Sequence, residues 1–298
     1  MEMPTELTKK SKKIKLGLYV TSTPIGNLGD MTYRAREILE QADIIACEDT
    51  RVTGKLLAHF QIKTRTISYH DHNEKKTLPL LLARLDEGQI VALVSDAGTP
   101  LISDPGYRLV KEAREAGHFV SSIPGASAIL AALASAGLAT DRFMFVGFLP
   151  NKTVARQKML NELENLKATL VFYESPKRLK DSLKDVLEVL GDREAAICRE
   201  LTKLFEEVRK GQLSDLVAHY NQTDRPKGEI VLVVGPPAEV EIGEDQLDEA
   251  LRKALENLSL KEAVASVTYS LGLKRKQVYA RALVISGKVI SGKSSGNK

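Results

Sequence analysis

"IVALVSDAGTPLISDPG", residues 90–106, joins an apolar run typical of a buried strand to a loop rich in aspartate, proline and glycine. A strand followed by a glycine-rich turn usually binds a phosphate, at which it aims backbone N–H groups and a cation. This loop carries Asp96 and Asp104 instead, and their carboxylates suit a ligand with positive groups. Taken alone, however, the loop is more simply explained as a structural turn in which both aspartates cap local N–H groups.

The residues around this loop alternate apolar runs with segments of helical spacing. The runs at 16–20 and 43–47 read as strands, and a helical pattern lies between them. This alternation predicts a domain over 16–123 with a mainly parallel α/β sheet. Ligands bind such sheets beyond the carboxyl ends of the strands, where the acidic loop lies. Asp104 and Pro105 predict the start of the next helix, with the aspartate as its N-cap.

A second α/β domain is predicted over 124–236. Ser175 and Pro176 are expected to cap a helix that ends at Gly191. The Gly-Pro-Pro at 235–237 begins a linker. Strands are predicted at 143–148, 169–173, 195–198, 205–209 and 229–234.

Residues 244–285 are helical in pattern. The sequence SLKE at 259–262 is a capping box, and a short glycine turn separates the two helices that follow it. The last helix opens with Lys-Arg-Lys, so the pair resembles a helix-turn-helix module. A plain helical appendage with an exposed basic face explains the pattern equally well. The basic tails at 1–15 and 286–298 are predicted to be flexible.

The composition is that of an ordinary globular protein with basic ends. The chain has 298 residues, of which 43% are hydrophobic, and a net charge of +4. No apolar stretch approaches the roughly 20 residues of a membrane span, and the charged N-terminus lacks the apolar region of a secretory signal, so we predict a cytoplasmic location. Basic ends suit a polyanionic partner such as nucleic acid, although solvated tails explain them as well. Cys47 and Cys198 are predicted to be reduced core residues.

Other motifs do not indicate a function. GKVISGKS at 287–294 matches the phosphate-loop pattern, but too few residues follow it to form the helix that such a loop requires. A GxGxxG dinucleotide motif does not occur. His70 and His72 lack a nearby third ligand of the Cys or His type, so we predict no metal site and a polar contact with the substrate instead.

A series of short motifs occurs in order along the chain. They are TPIGNL at 23–28, EDTR at 48–51, YHDHNE at 69–74, the loop at 94–106, PGASA at 124–128, GFLP at 147–150, YESPKR at 173–178, RELTK at 199–203 and KGE at 227–229. Together they resemble the ribosomal RNA small subunit methyltransferase I family over residues 16–236. The helical segment is similar to an extension found in many members. The resemblance implies the two-domain α/β fold of the tetrapyrrole methylases, which is a class III S-adenosylmethionine methyltransferase fold, with a small C-terminal helical domain.

The resemblance also implies the activity and the cofactor. Members 2′-O-methylate the ribose of a cytidine in the decoding region of 16S rRNA, with S-adenosylmethionine as methyl donor. This donor carries a sulfonium and an ammonium group and no phosphate, which agrees with the acidic loop. The donor would lie between the two α/β domains, against residues of both. These are Pro24, Asp96, Ala97, Gly98, Thr99, Pro100, Ala126, Ser127, Tyr173, Leu201, Lys227 and Gly228. Thr99 departs from the Gly-Asp-Pro of tetrapyrrole-modifying relatives but suits the rRNA branch.

Catalysis requires removal of the proton from a ribose hydroxyl, by a carboxylate or with the help of a cation. Glu174 and Glu200 are candidates for the base, and Lys203 is a candidate for the cation. Salt bridges between the domains explain each of them as well. The candidates for RNA contact are basic residues at predicted strand ends and in the helical segment, namely Arg51, His70, Arg178, Arg199, Lys274, Arg275 and Lys276.

Two other function classes stay open at this stage. The same fold supports methylation of a tetrapyrrole or another small molecule, but the basic helical segment and Thr99 argue against it. A non-catalytic RNA-binding assembly protein could also keep the fold, and the intact donor motifs argue against that. The expected partner is 16S rRNA or the small ribosomal subunit. The resemblance further implies a homodimer.

Overall fold

The computed structural model describes residues 14–238, 244–271, 273 and 275–287. The chain divides into two compact units, Met1–Pro237 and Ala238–Lys298, and the division follows directly after the Gly-Pro-Pro. The predicted tails before residue 14 and after residue 287, part of the predicted linker, and Lys274 lie outside the described residues. No helix in the described part of the chain is both long and apolar enough for a membrane crossing.

The first sheet is entirely parallel, as the alternation of strands and helices predicts. Its elements are β1 (Gly17–Thr21), α1 (Tyr33–Gln41), β2 (Ile44–Cys47), α2 (Thr50–His59), β3 (Thr66–Ser68), α3 (Glu74–Asp86), β4 (Ile90–Val94), α4 (Tyr107–Glu115) and β5 (Val120–Ile123). The strand order is β3-β2-β4-β1-β5. All residues of β1, β2 and β4 are buried, since helices cover both faces. Tyr19 and Ile45 pack in the core of one face, and Leu18 and Ile44 in the core of the other.

The second sheet is mixed. Its elements are α5 (Ala128–Ala136), β6 (Phe143–Phe148), α6 (Thr153–Leu163), β7 (Thr169–Glu174), α7 (Leu179–Leu190), β8 (Glu194–Arg199), β9 (Glu207–Gln212), α8 (Leu213–Gln222) and β10 (Ile230–Val234). The strand order is β6-β7-β10-β8-β9, and only β6 and β7 pair in parallel. One face packs against α6, α7 and α8, and the other against the small-residue helix α5.

Two predicted helix starts are wrong. Asp104 is not an N-cap, because α4 begins only after Gly106, whose φ of +128° lies outside the reach of most residues. Ser175 does not cap α7 either. Its carbonyl accepts hydrogen bonds from Arg178 and Leu179 in a turn, and the helix begins after that turn. The strand predicted at 205–209 begins later, at Glu207.

The second unit is a group of three helices over its described residues: α9 (Glu244–Leu255), α10 (Leu260–Leu271) and α11 (Arg275–Ile285). The capping box at the start of α10 is confirmed, since the Ser259 Oγ and Glu262 carboxylate are 2.6 Å apart. The Arg281 guanidinium on α11 donates to both oxygens of Asp248 on α9, at 2.5 and 2.7 Å. Apolar residues of all three helices form one small core.

Candidate functional site

A cavity of about 380 Å³ lies in the first unit, between loops of the first sheet and one face of the second. Its size is within the range of small-molecule sites. The loop after β4 and residues of β6, β7, β8 and β10 all reach its wall. The lining residues are Ile25, Ala97, Gly98, Thr99, Ile102, Ser103, Asp104, Ser127, Ala128, Phe148, Tyr173, Glu174, Ser175, Pro176, Cys198, Leu201, Gly228, Glu229, Ile230 and Val231.

The loop after β4 is fixed against the loop after β1. The backbone groups of Gly98 and Thr23 exchange two hydrogen bonds, of 2.9 and 3.1 Å. Gly98 has a φ of +80°, and a Cβ atom there would lie 3.3 Å from Cγ2 of Ile25. The Thr99 hydroxyl lies 2.9 Å from the Ser22 hydroxyl and donates to the carbonyl of Ala126. These contacts fix the position of the loop in the cavity wall. They also explain why residue 98 is a glycine and residue 99 carries a hydroxyl.

Asp96 and Asp104, the two aspartates of this loop, have different surroundings. Asp96 does not line the cavity. Its Oδ1 accepts a hydrogen bond of 3.1 Å from the backbone N–H of Asp49, so it ties the ends of β2 and β4 together. Asp104 lines the cavity, and Leu101 and Ser103 beside it both have positive φ, at 74° and 66°. Such conformations are costly for residues other than glycine and cluster at functional sites.

The carboxyl group of Asp104 has a shifted pKa. Burial, followed by the negative charges of Glu48 and Asp96, raises the pKa to about 6, although a hydrogen bond with Ser95 opposes the shift. The sequence analysis noted Asp104 as one of two carboxylates in the acidic loop. It did not predict Asp104 as a site residue, because the Asp-Pro pair was interpreted as a helix start.

Aromatic side chains form part of the wall. The rings of Phe148 and Tyr173 have centroids 5.5 Å apart, and Phe145 packs edge-on against Tyr173 at 4.9 Å. Burial and the nearby charges of Asp104 and Glu229 raise the pKa of Tyr173 to about 12, so its hydroxyl keeps its proton at neutral pH. Phe148 was not among the predicted site residues, although it belongs to the GFLP motif.

Glu174 reaches the cavity wall, but its carboxylate is buried and fully engaged. It accepts hydrogen bonds from the Ser175 backbone at 2.7 Å and the Ser182 hydroxyl at 2.5 Å, and it pairs with Arg178 at 2.6 Å. Arg178 also donates to the carbonyl of Leu149. The geometry therefore indicates an anchor between β7 and α7 for both residues, in place of a general base at 174 and an RNA contact at 178.

Glu200 and Lys203 do not line the cavity, but they form an ion-pair network with Glu229, which does. Lys203 Nζ lies 2.8 Å from Glu200 Oε1 and 2.8 Å from Glu229 Oε2. The hydrogen bond from Lys203 lowers the pKa of Glu200. Gly228 is required here, because a Cβ atom on it would lie 2.2 Å from Glu200 Oε1. The salt-bridge interpretation fits these two residues better than the catalytic one.

The remaining predicted site residues lie around the cavity or away from it. Pro24, Pro100, Ala126 and Lys227 adjoin lining residues without forming the wall themselves. Arg199 is engaged by Glu207 at 3.0 Å. Arg51 forms a fork with Asp49 and is 86% exposed, and its hydrogen bonds lower the pKa of Asp49 to about 2. The predicted RNA contacts with less engaged side chains are the half-buried His70, whose ring lies edge-on to His72, and the exposed Arg275 and Lys276 of the second unit.

Two family models match the chain. One, described as Tetrapyrrole (Corrin/Porphyrin) Methylases, matches residues 17–217, and the other, described as RsmI C-terminal HTH domain, matches residues 241–286. A solved structure of cobalt precorrin-4 methyltransferase, a cobalamin biosynthetic enzyme, has a TM-score of 0.53 and 19% identity, and the match covers 73% of this chain and 94% of that one. These matches confirm the predicted fold class.

Curated relatives are similar over nearly the whole chain. A protein of Mesorhizobium japonicum is 48% identical over 288 residues, which are 96% of this chain and 97% of the relative. A protein of Erythrobacter litoralis is 52% identical over 267 residues, which are 90% of this chain and 94% of the relative. Both are named ribosomal RNA small subunit methyltransferase I. The matched residues therefore cover both the unit that contains the cavity and the helical unit.

Proposed function

Since the chain belongs to the ribosomal RNA small subunit methyltransferase I family and is therefore an rRNA methyltransferase, we propose that it methylates the ribose 2′-hydroxyl of a cytidine in the decoding region of 16S rRNA, with S-adenosylmethionine as methyl donor. The observation that carries the proposal is the composition of the cavity wall. The described residues that line it include three carboxylates, at Asp104, Glu174 and Glu229, and no lysine or arginine. Such a wall suits a cationic ligand without phosphate.

The residues of the wall fit this donor. Thr99 and Ser127 bring hydroxyl groups for its polar parts, and Ile25, Leu201 and Ile230 bring apolar surface for its adenine. Gly98 and Gly228 line the cavity with bare backbone, because a Cβ atom on either would crowd Ile25 or Glu200. When bound, the donor supplies an electrophilic methyl group on a positively charged sulfur.

The chain's own residues have three tasks in this reaction. The apolar wall excludes water from the reacting atoms, which strengthens electrostatic interactions there. The Tyr173 hydroxyl, which stays protonated, can donate a hydrogen bond within the cavity. The positively charged side chains that stay exposed, such as Arg275 and Lys276 in the second unit, are available for RNA phosphates, whose binding falls steeply with salt.

The test is methyl transfer from labelled S-adenosylmethionine to small ribosomal subunits that lack the modification, and to the same rRNA free of protein. The labelled nucleotide is mapped and its chemistry is identified by mass spectrometry after nuclease digestion. We expect one ribose 2′-O-methylcytidine in the decoding region. Label on a base, or on a nucleotide outside that region, would contradict the proposal. Label on a tetrapyrrole and none on rRNA would favour a small-molecule substrate.

We also propose a homodimer. The first unit exposes large apolar side chains on its edge strand β6, at Phe143 and Met144, and in the loop before β9, at Leu204 and Phe205. A stable interface would remove such surface from water. Light scattering coupled to gel filtration measures the mass of the full chain, and a monomer at micromolar concentration would contradict this part of the proposal.

A further inference from the structure

We propose that Phe148 is the platform on which the base of the target nucleotide stacks, so that it positions the ribose at the mouth of the cavity. This inference rests on the proposed function, because a nucleotide acceptor brings a planar base with it. It gives a role to a residue of the GFLP motif that the sequence analysis did not include in the site.

The ring of Phe148 lies where the cavity meets solvent. Phe148 lines the cavity, yet the residue is 54% exposed. Tyr173, the other aromatic residue of the wall, is half-buried. Since burial of an aromatic ring is favourable, a ring left exposed at the mouth of a cavity is surface that a ligand can cover.

A β-bulge aims this ring at the cavity. The pairing of β6 with β7 shifts register between Phe145 and Gly147. In a regular strand, side chains three residues apart point to opposite faces of the sheet. Because of the bulge, Phe145 and Phe148 both reach Tyr173, with ring centroids 4.9 and 5.5 Å from its own. Bulges beside active sites commonly redirect a side chain in this way.

The end of β6 adjoins the loop after β4. A Cβ atom on Gly147 would lie 3.6 Å from the Ser103 Oγ. Ile102, beside Ser103, also lines the cavity and is 40% exposed. Ile102 and Phe148 therefore bring exposed apolar surface to the mouth, one from each sheet. The carboxylate of Asp104 lies in the same wall and remains available to the cationic donor.

The chemistry of an exposed phenyl ring fits an unpaired base. Proteins hold bases that are splayed out of an RNA structure by stacking them on aromatic side chains. Every base has a face that can stack, so the ring fixes the place of the nucleotide and carries little information about its identity. A base that lies on Phe148 brings its ribose to the mouth of the donor cavity. The target nucleotide must therefore be unpaired when it is methylated.

Two rival roles for Phe148 are an apolar wall for the donor and a contact between protomers. Leucine keeps apolar volume for either role but has no ring face, whereas tyrosine keeps the ring face and adds a polar group. A stacking platform should therefore tolerate Phe148→Tyr better than Phe148→Leu. Either rival role gives the opposite order.

The experiment compares wild type, Phe148→Leu, Phe148→Tyr and the matched control Tyr33→Leu. Tyr33 is an 80% exposed aromatic residue at the start of α1, outside the cavity wall. The value of kcat/KM is measured on unmodified small subunits, donor affinity by calorimetry, and protein mass by light scattering.

The variant Phe148→Trp gives a readout that is independent of activity. The chain contains no tryptophan, so the single indole is the only source of tryptophan emission. Stacking of a base on this indole should quench the emission when 16S rRNA free of protein is added. Tyr33→Trp is the control, and its emission should stay the same.

We expect Phe148→Leu to lower kcat/KM at least about tenfold and Phe148→Tyr to stay within about threefold of wild type. Tyr33→Leu should match wild type. A leucine variant as active as wild type would overturn the proposal. So would a loss of activity that an equal loss of donor affinity or a change of protein mass explains.

The indole separates failure of this inference from failure of the proposed function. Emission that rRNA leaves unchanged, in a protein that still methylates the ribose, would overturn the stacking role alone. If wild type methylates no ribose hydroxyl of rRNA, the proposed function fails, and the stacking role that rests on it fails as well.

Discussion

At the scale of single residues, the cavity depends on positions where only glycine fits. Gly98 has a positive φ, and a Cβ atom there would lie close to Ile25. Gly228 also has a positive φ, and a Cβ atom there would overlap the Glu200 carboxylate. A side chain at either position would be strained in its backbone and would displace a neighbour in the wall or behind it. Gly117 offers a comparison, since its φ is +83° and nothing lies within 4 Å of its Cβ position.

Gly98→Val should therefore weaken donor binding more than about tenfold, because the branched side chain enters the wall from a backbone conformation that disfavours it. Calorimetry with S-adenosylmethionine measures the affinity. Gly117→Val is the control, because it carries the same backbone strain far from the cavity. Both variants should lose thermal stability. Equal donor affinity in the two variants would show that the loop after β4 does not contact the donor.

The charge of Asp104 predicts a stability effect with a definite sign. Its pKa is about 6 in the folded protein, above the ordinary value, so the folded state binds the proton more tightly than the unfolded state does. Asp104 therefore costs stability at neutral and alkaline pH, and this cost disappears as pH falls through the window from about 6 to about 4. Asp104→Asn should melt at a higher temperature than wild type at about pH 8, and the difference should vanish at about pH 4. A variant less stable than wild type at alkaline pH would contradict the burial of this charge.

At the scale of elements, α7 begins without a side-chain N-cap, and a buried carboxylate connects it to β7 instead. Glu174 is the last residue of β7, Arg178 is the last residue before α7, and Ser182 lies in the first turns of that helix. One buried carboxylate connects all three. The anchor fixes the direction in which the chain leaves the second sheet, and so it positions Ser175 and Pro176 in the cavity wall.

Glu174→Gln should lower the free energy of unfolding by about 3 kcal/mol, because it leaves the Arg178 guanidinium partly buried without its counter-charge. Chemical denaturation with a spectroscopic probe measures the change. The double variant with Arg178→Met should lose less than the sum of the two single changes, since both act on one pair. Turnover that falls far more than stability would instead restore a catalytic role for Glu174.

The sequence predicts single elements better than their connections. Strand β6 occupies the predicted residues, and the parallel first sheet follows from its alternation of strands and helices. The position of β10 between β7 and β8 depends on pairings between residues far apart in the chain, which no local pattern encodes. Asp104 was misplaced for a related reason. An Asp-Pro pair favours a helix start locally. In the structure, however, the positive φ angles of Leu101, Ser103 and Gly106 extend the loop beyond Asp104, and the helix begins only after Gly106.

At the scale of the whole molecule, the chain separates its tasks between two units. The cavity lies entirely within the first unit, and the exposed Arg275 and Lys276 lie in the second. Arg281 is less available than these two residues for contact with RNA phosphates, since its guanidinium pairs with Asp248 and Glu244. The second unit has its own small apolar core and its own capped helix, as expected of a module that folds around its own residues.

Removal of residues 238–298 should therefore leave donor affinity within about twofold of wild type and weaken engagement of the small subunit by more than about tenfold. Calorimetry measures the donor, and filter binding at several salt concentrations measures the RNA partner. The variant Arg275→Gln/Lys276→Gln in the full chain is the control for charge, and its affinity for RNA should fall less steeply with salt. Equal loss of both affinities on truncation would show that the second unit serves the stability of the first.

The central place of β10 in the second sheet also sets the order in which a newly made chain can mature. The first sheet ends with Ile123, so it can close while the rest is still being synthesised. The second sheet cannot do the same, because β6 and β7 stay separate from β8 and β9 until residues 230–234 emerge between them. Gly228 and Val231, which complete the cavity wall, arrive at the same moment. A nascent chain or a product of premature termination before Val234 therefore has a finished first domain and an incomplete cavity wall.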